Sequence, residues 1–211
     1  MKKGILFDLD GTLWDSAEGV ARAWNAALEE EGRPERVTVE SVHGLMGKTM
    51  DAIARQMFPR EPSSVAEALL EKCILLENEY LEKHGGVLYA GLEDTLSELK
   101  RRGYFLSVVS NCQEGYIEAF AGYHGLEKWF DDTECFGHTR QGKGANIRAV
   151  CERNGLEAAL YLGDTAGDME AAGEAGIPFV HAAYGFGTVP EGTPRIGDIR
   201  ELPGMAEKIL G

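Results

Sequence analysis

Residues 5–12 read Ile5-Leu6-Phe7-Asp8-Leu9-Asp10-Gly11-Thr12. An apolar run of strand length ends in two carboxylates two positions apart, followed by a glycine and a hydroxyl. If strand geometry persists through them, side-chain alternation turns Asp8 and Asp10 to one side. A carboxylate can attack phosphorus and form an acyl phosphate, and a second carboxyl two residues on can serve first as acid and then as base. Alone, the stretch reads as well as a surface turn with glycine at a special backbone angle. By residue usage, the two aspartates, the glycine and the threonine recur by chance in on the order of one chain of this length in several hundred.

Outward from this stretch, apolar runs of similar length lie at 104–110, 159–163 and 177–181, each followed by a turn signal or a helix pattern. Between them Leu92, Thr95, Leu96 and Leu99 repeat at helical spacing before Gly103, and Tyr116, Ile117, Phe120 and Ala121 do so before Gly125. Strands alternating with helices predict an α/β fold: a doubly wound parallel sheet of Rossmann type, with reactive groups at the carboxyl ends of its strands.

One region breaks the alternation. From Asp15 to about His84 the signals are almost entirely helical. Asp15 to Glu18 reads as a capping box, followed by Val20, Trp24, Ala27 and Leu28 on one face. A run over 63–84 carries Val65, Leu69, Cys73, Leu76 and Tyr80 at helical steps and halts at Gly85-Gly86. About 70 helical residues inserted after the first strand predict a lid.

The 211 residues suffice for one α/β core and a smaller insertion, and 44% hydrophobic content is ordinary for a globular chain. A net charge of -14 argues against a nucleic-acid surface, because phosphate contacts need clustered Lys and Arg. The apolar start is too short for a signal peptide or a membrane span, so a cytoplasmic location and no membrane partner are expected. Cys73, Cys112, Cys135 and Cys151 stand singly and suggest neither a zinc site nor a disulfide framework. The Gly/Pro-rich stretch 184–194 reads as the loosest segment.

Three further places carry chemistry. Ser110-Asn111 ends the second strand run and reads as the start of a helix, where a hydroxyl and a backbone N–H can hold a phosphate oxygen; taken alone it reads far more often as a plain N-cap. Lys143 opens a helical pattern, where a cation opposes the helix dipole unless an anion lies nearby. Gly163-Asp164-Thr165-Ala166-Gly167-Asp168 follows a strand and opens another helix, with Thr165 as cap. Aspartates 8, 10, 164 and 168 gathered at one sheet edge would repel strongly without a cation, and hard cations such as magnesium prefer carboxylate oxygens.

In this order, DLDGT, Ser110, Lys143 and GDTAGD resemble the four motifs of the haloacid dehalogenase superfamily. The resemblance runs from Met1 to about His181, and phosphatase members with a helical cap after the first motif look most similar, the phosphoglycolate phosphatase branch nearest among them. It implies a Rossmann-like core of residues 1–14 and 86–211 and a cap of residues 15–85. It further implies Asp8 as nucleophile, Asp10 as general acid and base, and Ser110, Asn111 and Lys143 as phosphate holders. Mg2+ would be bound by Asp8, Asp10 and Asp164, with Asp168 as a ligand or a partner behind them. The substrate implied is a small-molecule phosphate ester, acted on by a monomer or homodimer. Within the cap, the segment 44–49 is the expected substrate contact, with Gly47 and Lys48 as candidate specificity residues.

The dehalogenase branch lacks the second aspartate of the first motif, so Asp10 speaks for an oxygen leaving group, which needs a proton donor. Ser110-Asn111-Cys112 stands where many relatives have Thr-Asn and keeps the hydroxyl. A sugar-phosphate mutase of the β-phosphoglucomutase type would share core, motifs and cap, but such caps resemble one another in an arginine three residues after the hinge glycine, where this chain has Met50. A binding protein on a dead scaffold would have lost one of Asp8, Asp10, Lys143 or Asp164, and all are present.

Overall fold

The computed structural model describes residues 1–211. Its six-stranded sheet consists of β1 (Lys3–Phe7), β4 (Phe105–Ser110), β5 (Asp132–Cys135), β6 (Ala158–Gly163), β7 (Phe179–Ala182) and β8 (Arg195–Ile196). The spatial order is β5-β4-β1-β6-β7-β8 and every pairing is parallel. Beside it, β2 (Trp14–Asp15) and β3 (Val87–Leu88) form a two-residue antiparallel ladder.

The central strands are buried along nearly their whole length because helices cover both faces. Ile5, Phe7, Leu106 and Leu160 pack with α5 (Leu92–Arg101), α6 (Tyr116–His124) and α10 (Leu202–Leu210). Leu6, Val109 and Tyr161 face the other way, against α8 (Lys143–Arg153) and α9 (Ala166–Ala175). The short α7 (Phe136–Thr139) follows β5. The doubly wound α/β fold read from the sequence is therefore present, and β1 stands at the switch point between β4 and β6.

Between β2 and β3 lie only helices: α1 (Ala17–Glu30), α2 (Val39–His43), α3 (Met50–Met57) and α4 (Ser63–His84). On α1 the expected Val20, Trp24, Ala27 and Leu28 are buried. On α4 the expected Leu69 and Cys73 are buried and Leu76 and Tyr80 half-buried against the core, while Val65 is exposed and the buried stripe extends instead through Ala66, Leu70, Glu77 and Leu81. The capping box expected at Asp15–Glu18 is absent. Ser16 is the N-cap residue, but its hydroxyl is drawn inward to Asp10 and Tyr116, and Asp15 instead accepts from the Ala17 N–H at 2.9 Å. Trp14, fully buried, joins the two regions, with its ring edge-on to Tyr116 and Phe120 at 5.6 and 5.0 Å between centroids. Such aromatic pairs contribute about 0.5–1.5 kcal/mol each beyond their buried area.

Candidate active site

Strand geometry stops at Phe7. Asp8 is the first residue past β1, its N–H bonded to the Leu162 carbonyl at 2.8 Å, and the chain then coils so that the Thr12 and Leu13 N–H groups return to the Leu9 carbonyl. Gly11 takes a left-handed φ of 77°, and a Cβ there would lie 2.4 Å from Asp164 Oδ2, so only glycine fits the turn. Consequently Asp8 and Asp10 do not act as two teeth of one strand. Asp8 points to the sheet edge with Asp164 and Asp168, while Asp10 turns toward the helical insertion.

Asp8, Asp164 and Asp168 are fully buried and offer carboxylate oxygens within 4.8 Å of one another. Lys143, at the first position of α8 and itself buried, donates to Asp8 Oδ1 at 2.7 Å and to Asp168 Oδ1 at 2.5 Å. The anion that its place in a first turn requires is thus supplied by the protein. Burial alone would lower the Lys143 ammonium, but Asp168 and Asp8 outweigh it and hold the proton firmly. Burial, then Asp168, raises the Asp8 carboxyl well above its usual range.

Asp168 has a second duty. Its Oδ2 accepts from the Thr165 N–H at 2.9 Å and the Thr165 hydroxyl at 2.7 Å, while its own N–H returns to Thr165 Oγ1, forming the capping box of α9. Both Asp168 oxygens are therefore engaged. Asp164 is held differently: its Oδ2 accepts the backbone N–H groups of Phe186 and Gly187 at 2.7 and 3.0 Å, and its Oδ1 is buried without a partner. Burial, then Asp168, pushes its carboxyl up to about 6.

An orphaned carboxylate oxygen beside Asp8, in a site where three carboxylates face one ammonium, fits a hard cation. The segment 184–194, read as loose, forms part of this site. A Cβ on Gly185 would meet the Gly11 carbonyl at 2.2 Å, so the loop reaches Asp164 only because that residue is glycine, and the Tyr184 hydroxyl ties it to the Thr12 carbonyl at 2.9 Å.

Asp10 Oδ1 accepts from Trp14 Nε1 at 2.9 Å, the Ser16 hydroxyl at 3.0 Å and the Tyr116 hydroxyl at 2.8 Å. Burial pushes its carboxyl up to about 6 against these three donors, and no protein donor engages Oδ2. Trp14, Ser16 and Tyr116 escaped the sequence reading, since nothing local marks them as partners of one oxygen.

Ser110 is buried at the end of β4, but Asn111 does not begin a helix. Residues 111–115 first reach across to the insertion: Asn111 Nδ2 donates to the Gly47 carbonyl at 2.9 Å and Gln113 Nε2 to Glu77 and Asn78 at 3.0 Å each. α6 starts only at Tyr116, after Gly115 at φ 88°. On the opposite side the His43 ring stacks on Phe186, 4.1 Å between centroids. The insertion therefore covers the strand ends. Gly47 and Lys48 line the space beneath it, although the Lys48 ammonium donates to Gln56 Oε1 at 2.6 Å.

Residues 5–182 match the family model described as haloacid dehalogenase-like hydrolase. Among known proteins, the chain is similar to a phosphoglycolate phosphatase of Pseudomonas syringae pv. tomato, 32% identical over 224 residues that cover 98% of this chain and 81% of the relative. Of solved structures, a predicted phosphoglycolate phosphatase from Haemophilus somnus 129PT superposes with a TM-score of 0.83 at 24% identity, over 97% of both chains. CbbY from Rhodobacter sphaeroides, in complex with phosphate, does so with a TM-score of 0.80 at 23% identity, over 96% of both. At such identities the structures speak for the fold alone. A family match spanning most of the sheet, with the carboxylates and Lys143 brought to one strand edge in the motif order, places the chain in the haloacid dehalogenase-like hydrolase family.

Proposed function

We propose that this hydrolase is a magnesium-dependent phosphatase that cleaves a small phosphate monoester through a phosphoryl group carried on Asp8. The observation that carries the reading is the pairing of two carboxyls in unlike settings: Asp8 among anions and Lys143 at the sheet edge, and Asp10 held apart with one free oxygen and a pKa of about 6. Asp8, the Asp10 backbone carbonyl and Asp164 Oδ1 are the groups that would hold Mg2+. When bound, the ion offsets the carboxylate charge and stabilises charge on the phosphoryl oxygens.

Asp8 attacks phosphorus in line, forming an O–P bond as the ester O–P bond breaks, and Asp10 gives its proton to the departing alcohol. Water then attacks the aspartyl phosphate, losing a proton to Asp10; phosphate leaves and the Asp8 carboxylate is restored. Ser110 Oγ, the Asn111 N–H and Lys143 hold the transferring oxygens, with Asp168 positioning Lys143. Residues 15–85 act as the cap, excluding water and supplying the contacts to the leaving group. Met50, in the wall of the space over the site, supplies no charge to hold a sugar phosphate as acceptor, which favours hydrolysis over transfer to a sugar hydroxyl. No helix is long and apolar enough to cross a membrane.

The test is phosphate release from p-nitrophenyl phosphate and small metabolite phosphates, with magnesium or EDTA, for wild type and Asp8→Asn. Loss of at least about 10³-fold in kcat is expected for the variant, and loss of turnover in EDTA. Full activity in either case refutes the mechanism.

A further inference from the structure

Over the reaction centre lies a cavity of about 40 Å³ that the phosphoryl chemistry does not use, room for a group of a few non-hydrogen atoms. Asp10, Ser110 and Asn111 border it on the sheet side, and Val42, Leu45, Met46 and Ile53 form apolar walls. Besides Asp10, two charged residues line it, Glu77 and Lys48, whose ammonium donates to the neutral Gln56 amide and keeps its charge.

Glu77 is only 3% exposed, on the face of α4 that otherwise buries Cys73 and Leu81. Its Oε2 accepts from Trp24 Nε1 and its Oε1 from Gln113 Nε2 at 3.0 Å. Fixed donors thus occupy one direction at each oxygen, and lone pairs remain to face the cavity. Burial pushes this carboxyl up to about 7. An apolar residue would be cheaper at such a position, and none of the steps from Asp8 or Asp10 needs Glu77.

We propose that Glu77 chooses the leaving group: the preferred ester carries a hydroxyl or ammonium on a short, otherwise apolar alcohol, ahead of the plain alkyl ester. The inference rests on the phosphatase reading above. A donor on the alcohol completes the Glu77 shell inside a water-poor cavity, whereas a plain alkyl group leaves its remaining acceptor positions unpaired.

A matched two-carbon series isolates the terminal group: ethyl, 2-hydroxyethyl and 2-aminoethyl phosphate. For wild type with magnesium, kcat/KM for the hydroxyethyl or aminoethyl ester should exceed that for ethyl phosphate by at least about tenfold. Which of the two leads tells hydrogen bonding from charge recognition. Glu77→Gln should shrink the gap to about threefold or less, chiefly through KM. Ethyl phosphate matching or exceeding both donor esters overturns the proposal on wild type alone, whatever the variant does, and so does an unchanged ratio in a folded Glu77→Gln. Absence of Asp8-dependent release from every ester, p-nitrophenyl phosphate included, is a different result: it removes the phosphatase reading and this inference with it.

Discussion

The floor and the roof of the cavity are built on opposite principles. On the floor, three carboxylates and one ammonium crowd within a few ångströms, each fixed by a strand end or a helix start: Asp8 by β1, Asp164 by β6, Asp168 and Lys143 by the first turns of α9 and α8. The roof is apolar, carried on helices that reach the sheet through a few hydrogen bonds such as Asn111 to Gly47, and it holds one buried carboxylate. The floor is charge without apolar shape; the roof is apolar shape with Glu77 and Lys48 as its only charges. A site divided in this way separates what is done to phosphorus from the choice of what departs, so changes on the two sides should read out differently.

The sharpest way to break that division is Lys143→Met. It leaves Asp8 and Asp168 buried without their cation, and should cost about 3–5 kcal/mol in denaturant unfolding without metal. kcat should fall about 10²–10³-fold on every ester alike. Loss confined to some esters would mean that floor and roof are not separate.

Next is Gly185→Ala. The added methyl collides with the Gly11 carbonyl and displaces the loop whose N–H groups grip Asp164, so the magnesium concentration for half-maximal activity should rise about 10–100-fold, with the order of ester preference kept.

The roof has its own signature in stability. The Glu77 carboxyl is raised on folding from the usual 4.5 to about 7, so the folded state keeps a proton that the unfolded chain has released. Its contribution is complete below about pH 4.5 and is lost as pH rises through about 7. Relative to wild type, Glu77→Gln should therefore gain stability across that window, by at most about 3 kcal/mol in denaturant titrations at each pH. A pH-independent difference would place the Glu77 carboxyl outside the apolar setting described.

Tyr116→Phe has the smallest expected effect. It removes one of three donors that hold the Asp10 carboxyl down, so the limb of the pH–rate profile belonging to Asp10 should move to higher pH, while kcat/KM at its optimum changes within about tenfold. An unmoved limb would show that another group sets the profile.

The floor was far more legible in the sequence than the roof. Each floor residue sits beside a local mark: Asp8 at the end of an apolar run, Lys143 after Gly142, Thr165 and Asp168 at capping-box spacing. Short-range geometry fixes such residues, so short-range patterns reveal them. The bend after Phe7, which parts Asp10 from Asp8, depends on Gly11 meeting Asp164 from the far half of the chain and had no local sign beyond the glycine itself.

β5 escaped because it is an edge strand of the sequence Asp132-Thr133-Glu134-Cys135, whose carboxylates, the buried Glu134 included, are paired with Arg153. Glu77 lies outside the series Val65, Leu69, Cys73, Leu76 and Tyr80 expected for this helix. The series Ala66, Leu70, Cys73, Glu77, Leu81 has helical spacing and would have marked it, had the stripe been drawn through a carboxylate.

The ladder of Trp14–Asp15 against Val87–Leu88 has a consequence for descent as well as for structure. Neighbouring strands lie about 5 Å apart, so the chain leaves the sheet and returns to it through one narrow doorway. A segment of almost any length whose two ends meet at that spacing can be exchanged there without rethreading the parallel sheet. The roof is in this sense a replaceable part, open to swapping by recombination in one step, while the floor must be altered one residue at a time.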